Sequence, residues 1–129
     1  MKNQSFILAG LFCLLLFLHH SVQANVPEDY FVGKWDVLIK GLPNGDANMV
    51  LVLEKGAKSM EGVVYDTRGN KIGNVDSSKL SKDKATLTLY FVFNGYDVNL
   101  QLVKVDEDNL KGNLMGMFKA EGSRMKAGE

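Results

Sequence analysis

From Gly33 onward the chain alternates apolar and polar residues in short runs separated by turn residues, and no stretch holds a helical period. Trp35, Val37 and Ile39 share one face of a first strand, and Gly41-Leu42-Pro43-Asn44-Gly45-Asp46 reverses it. Met49, Leu51 and Leu53 line the same face of the second strand; Met60, Gly62 and Val64 line that of the third. Asp66-Thr67-Arg68-Gly69-Asn70 is a turn, and Ile72 to Val75 a short fourth strand. Residues 76–84, rich in Ser, Lys and Asp around Leu80, read as a short strand flanked by turns or as a loop.

The next segment carries the strongest signal. Leu87, Leu89, Phe91 and Phe93 alternate with Thr86, Thr88, Tyr90 and Val92, a mixture favoured in strands. Asn94-Gly95 follows, the pair that best accepts the two positive φ angles of a tight hairpin, so Phe93 and Tyr96 should pair across it. Tyr96, Val98, Leu100 and Leu102 continue the inner face. After the turn at Asp106-Glu107-Asp108-Asn109, one parity runs from Leu110 through Leu114 and Phe118 to Arg124, with interspersed glycines expected to bend the strand.

About eight short strands joined by hairpin-length turns predict an all-β domain. A small antiparallel up-and-down barrel buries one face and leaves no unpaired edge. A two-sheet sandwich satisfies the same alternation and stays open as the alternative.

The beginning of the chain has a different pattern. Lys2 precedes a run from Phe6 to Leu18 that is apolar but for Gly10, and Val22 and Ala24 are small enough for a signal-peptidase site. The run is shorter than the roughly 20 residues that span a bilayer. A cleaved signal peptide over residues 1–24 is expected, then an N-terminal segment 25–32 and a barrel domain 33–129, in an exported protein, periplasmic or secreted, with no transmembrane anchor. Phe12 is too bulky to precede a lipid-modified Cys13, so a lipoprotein is set aside.

That cut removes Cys13, His19 and His20, leaving neither cysteine nor histidine. Thiol nucleophiles, imidazole-based triads, Cys/His zinc sites and disulfides are thereby excluded from the mature chain. Lys2 also goes, so fourteen basic residues face fifteen acidic ones, a net charge of about −1. Such a balance calls for no nucleic-acid partner. Asp66 and Asp97 are the only pair weighed for acid–base work, and they read better as a turn residue and a solvent-facing strand residue. Asp106, Asp108 and Asn109 lack the continuation of a calcium loop. No enzyme and no cofactor is expected.

The remaining chemistry is apolar. The inner rows offer Val37, Met49, Leu51 and Val64, then Leu89, Phe91, Phe93 and Tyr96, then Leu100, Leu114 and Phe118 as the lining for a small apolar ligand, with Tyr96 as the polar handle. Tyr90, Val92, Met115 and Met117 face outward with Leu38, Val50 and Val52, and such a patch would suit an envelope protein partner or complex. Two readings follow: an exported binding module for an apolar ligand or partner, or an interaction or inhibitor protein with a filled barrel.

Gly33-Lys34-Trp35 on the first strand and Arg124 on the last resemble the calycin architecture of lipocalins, fatty-acid-binding proteins and avidins. Pro43-Asn44-Gly45, Met60-Glu61-Gly62, Leu110-Lys111-Gly112 and Gly122-Ser123-Arg124 are similar to points of a short lipocalin-like domain of secreted bacterial proteins. The resemblance covers nearly all of the mature chain, and its motifs are structural. It implies that Trp35 closes the barrel floor, with Arg124 stacked across the indole. Gly122 departs from it, since many relatives carry an aromatic residue there.

Overall fold

A computed structural model of the protein describes residues 25–126. The signal segment expected over residues 1–24 lies outside them. The alternating runs form eight strands: β1 (Gly33–Ile39), β2 (Ala47–Lys55), β3 (Met60–Tyr65), β4 (Lys71–Leu80), β5 (Thr86–Phe93), β6 (Tyr96–Lys104), β7 (Asn109–Leu114) and β8 (Phe118–Arg124). Each is antiparallel to its neighbour in chain order, and β1 pairs with β8 from Trp35 against Arg124 to Ile39 against Ala120. The sheet therefore closes on itself, which decides between the barrel and the sandwich. Among the described residues no helix is long and apolar enough to cross a membrane.

The inward rows pack without gaps. Trp35, Val37, Ile39, Leu51, Val64, Leu87, Leu89, Leu100 and Leu102 expose no surface even to a water-sized sphere, so no void of that size touches them. Each large side chain buried this way contributes roughly 1.5–3 kcal/mol. Eight strands enclose a bore that side chains can just fill, and here they fill it.

Two segments depart from the expectation. Residues 71–80 form one strand, not a short strand followed by a second strand or loop. Its register shifts twice, opposite Val64/Tyr65 and between Val75 and Ser77, and each shift breaks the alternation that would have announced a continuous strand. Residues 110–124 do not bend as one ribbon; they reverse into a hairpin. Met115 and Gly116 both take positive φ, 59° and 69°, Met117 N–H donates to Leu114 O, and Leu114 faces Phe118. The inner parity survives the reversal because the loop between them holds three residues. The Asn94-Gly95 turn has the expected left-handed pair of angles, 52° and 80°, with Phe93 opposite Tyr96.

Hairpin alternation gives the barrel two unlike ends. One gathers the β2–β3, β4–β5 and β6–β7 turns around residues 25–32, where Glu28 pairs with both Lys55 and Lys84. We call it the floor. The mouth carries the β1–β2, β3–β4, β5–β6 and β7–β8 turns.

Candidate functional site

The floor is built around Trp35, fully buried on β1. Its indole Nε1–H donates to Phe31 O at 2.9 Å, so the one polar atom of the ring is satisfied inside. Arg124, opposite Trp35 on β8, lays its guanidinium carbon 4.1 Å from the ring centroid. Four hydrogen bonds hold it: Nη1–H to Val32 O, Nη2–H to Tyr30 O and Glu107 O, and Nε–H to Glu107 O. One planar cation thus clamps the entering segment to the β6–β7 turn, a geometry that a lysine cannot reproduce.

Gly33 makes room for that clamp. Its φ of 131° is denied to side-chain-bearing residues, and a Cβ there would stand 3.2 Å from Arg124 Nη1. At Gly122 an added Cβ would meet Leu110 Cβ at 3.1 Å. Leu110 occupies the space that a larger residue at 122 would need.

The segment ahead of β1 belongs to this core, although its residues carry no alternating pattern. Tyr30 and Phe31 are buried, with ring centroids 4.9 Å apart in a T-shaped contact. The Tyr30 hydroxyl donates to Asp106 O, and Lys104 Nζ stands 4.6 Å from the Tyr30 ring centroid. Burial pushes the Tyr30 phenol up to about 12, with the carboxylates of Glu107, Asp106 and Asp108 adding to the shift against the pull of Arg124. Asp106 is held below the usual carboxylate range because its oxygens accept from Asp108 N–H and the Asn109 amide. These bonds make Asp106–Asn109 a self-capped turn. Among the described residues no three Asp, Glu, His or Cys side chains gather as metal ligands.

The mouth is different. A hollow of about 710 Å3 opens between the β1–β2, β5–β6 and β7–β8 turns, within the range of small-molecule sites. Its apolar lining comprises the buried or half-buried Phe93, Val98, Leu114, Phe118 and Leu42 together with the exposed Pro43, Tyr96 and Met115. Asp46, Asp97, Asn44 and Asn94 supply its polar groups. The β3–β4 turn contributes nothing to it. A second hollow of about 550 Å3 lies on the outer wall beside Val50, Val52, Tyr65 and Arg68.

The candidate ligand residues divide accordingly. Val37, Met49, Leu51, Val64, Leu89, Phe91 and Leu100 are sealed in the core and do not border the mouth hollow. Phe93, Tyr96, Leu114 and Phe118 do border it. Tyr96 is not an interior residue: it is 74% exposed, because the tight turn ends β5 and β6 at the rim and leaves no strand beyond to cover it. Of the outward set, Tyr90 lies opposite Asn99, whose backbone N–H points at Met115 Sδ at 3.3 Å, so these three form one strip. Val92 and Met117 are also exposed. Asp66 and Asp97 line different hollows, and Asp66 is held low in pKa by the N–H groups of Asn70 and Arg68.

Leu42, Pro43 and Met115 were legible in the sequence only as turn or wall residues. Leu42 carried the one available signal, a bulky apolar residue inside a turn, and it packs against the core.

Taken together, the molecule is an eight-stranded antiparallel closed barrel with a solid bore and a cupped mouth. A scan against protein-family models and a search of the curated proteins each returned no match to this chain.

Proposed function

We propose that this is an exported, non-catalytic binding module of lipocalin-like type that takes an apolar group at its mouth rather than in its bore. The observation that carries the reading is the pairing of a sealed core with a 710 Å3 aromatic-based hollow at one end. A filled bore leaves no room for a deep ligand, whereas the cup presents Phe93 and Phe118, both half-buried, to a guest. Burying a hydrocarbon group there gains about 25 cal/mol for each Å2 removed from water. The motifs at the floor support the lipocalin-like likeness, and the leader-like pattern of residues 1–24 supports export.

The test is titration with N-phenyl-1-naphthylamine, a neutral apolar fluorophore. Saturable one-to-one enhancement, lost at least tenfold in Phe118→Asn, is the expected result. Enhancement that never saturates, or that Phe118→Asn leaves intact, overturns the reading.

A second reading, a protein partner on the outer strip of Tyr90, Val92, Met115 and Met117, is favoured by their exposure. Met117→Glu would then abolish co-purification of the partner while leaving the fluorophore titration unchanged.

A further inference from the structure

Charge distinguishes the mouth hollow from a generic apolar cup. Its lining includes two carboxylates, Asp46 and Asp97, and no lysine or arginine. Asp46 spends one oxygen on Gly41 N–H at 2.9 Å, and the other accepts no hydrogen bond from the described residues. Asp97 accepts no side-chain hydrogen bond and joins no ion pair with the described residues.

None of the basic side chains of this end, Lys40, Arg68, Lys71 and Lys119, lines the hollow. Lys40 is held by Glu121 at 2.9 Å, Lys119 lies on the outer wall beside Gln101 and Lys111, and Arg68 borders the outer hollow. A guest whose apolar part rests on Phe93, Leu114 and Phe118 therefore places its polar end among two carboxylates and the neutral amides of Asn44 and Asn94, with no cationic side chain in the lining.

The Tyr96 ring adds to the same preference. It stands exposed at the rim, and an aromatic face attracts a cation through its quadrupole while giving nothing to an anion. An ammonium at the rim would be drawn by both carboxylates and by the ring. A carboxylate there would be repelled by both and would find no cation. The two acids are exposed, so solvent weakens each interaction. A single unit charge facing two such groups still changes sign from attraction to repulsion between the two kinds of guest.

We infer that the mouth selects cationic amphiphiles, with a short alkyl or aryl group in the cup and an ammonium between Asp46, Asp97 and the Tyr96 ring. This rests on the apolar-mouth reading above and adds the sign of the ligand's charge to it.

Isotope-labelled protein is titrated with octyltrimethylammonium, octanol and octanoate, following the backbone amides of residues 93–98 and 114–118. At low salt the ammonium is expected to bind about fivefold or more tightly than octanoate, with octanol between them. Raising the salt should narrow the gap, because exposed charges are screened over about 10 Å at 0.1 M. Asp46→Asn combined with Asp97→Asn should remove most of the ammonium's advantage over octanol, leaving only the part that the Tyr96 ring supplies, and should change octanol binding far less than ammonium binding. Octanoate binding as well as the ammonium, or an ammonium affinity indifferent to the double substitution, overturns the charge selection while octanol binding keeps the apolar-mouth reading. Failure of all three to move the mouth amides overturns both.

Discussion

The floor and the mouth of this barrel are made from the same hairpins, yet they solve opposite problems. At the floor an eight-residue segment folds under the strands, and the polar groups gathered there have partners: the Trp35 indole N–H, the Tyr30 hydroxyl and the Arg124 guanidinium all reach backbone carbonyls. At the mouth no segment of the described residues crosses the opening, and Tyr96 and Met117 remain 74% and 70% exposed. The difference teaches where each kind of residue acts. Floor side chains are held by several bonds at once, so their loss is felt as stability. The exposed rim side chains Tyr96 and Met117 are held by little, so their loss is felt as binding rather than as stability.

The largest expected effect tests the floor. Trp35→Ala removes the most deeply buried ring and leaves Arg124 without its stacking surface, and it should cost about 3–5 kcal/mol in urea unfolding. A loss under 1 kcal/mol would mean that the floor is not the keystone described. Arg124→Lys comes next. One ammonium cannot serve the carbonyls of Tyr30, Val32 and Glu107 together, so a loss of about 2 kcal/mol is expected despite the retained charge. Full stability in the lysine variant would show that charge alone holds the clamp.

Tyr30→Phe is smaller, about 1 kcal/mol at neutral pH, from the lost hydroxyl bond to Asp106 O. Its better signature is alkaline. The fold favours the neutral phenol and raises its pKa from about 10 to about 12, so the stabilisation is complete below pH 10 and is lost as pH rises towards 12. Chemical unfolding at pH 9, 11 and 12 should therefore show the parent's advantage over Tyr30→Phe shrinking and then reversing, since a shift of two pKa steps outweighs about 1 kcal/mol, and parallel curves would contradict the assignment. The smallest effect belongs to the mouth. Tyr96→Ser should change the unfolding free energy by less than about 0.5 kcal/mol, as exposed substitutions do. If it costs as much as Tyr30→Phe, the two ends are not the contrasting structures that exposure indicates.

How much of this was legible beforehand differs between the ends. The mouth's β5–β6 turn announced itself through Asn94-Gly95, because few other residue pairs accept two left-handed angles. The β7–β8 turn did not, since Met115 gives no such signal at φ 59° and is sustained by its bond from N–H to Asn99 O. At the floor, Gly33, Trp35 and Arg124 were visible as motif residues. Tyr30 and Phe31 were not, because a segment that crosses the end of a barrel follows no strand period.

The order of apolar and polar residues by itself determined most of the strands and most of their inward faces, since these are set by local alternation and turn chemistry, while closure into a barrel rather than a sandwich needed the pairing of β1 with β8. Whether the bore would be solid or hollow, which inward residues would reach the opening, and which carboxylates would share it were decided only by the tertiary structure. Those depend on how eight separate rows meet across the barrel, and no neighbour relation along the chain encodes such a meeting.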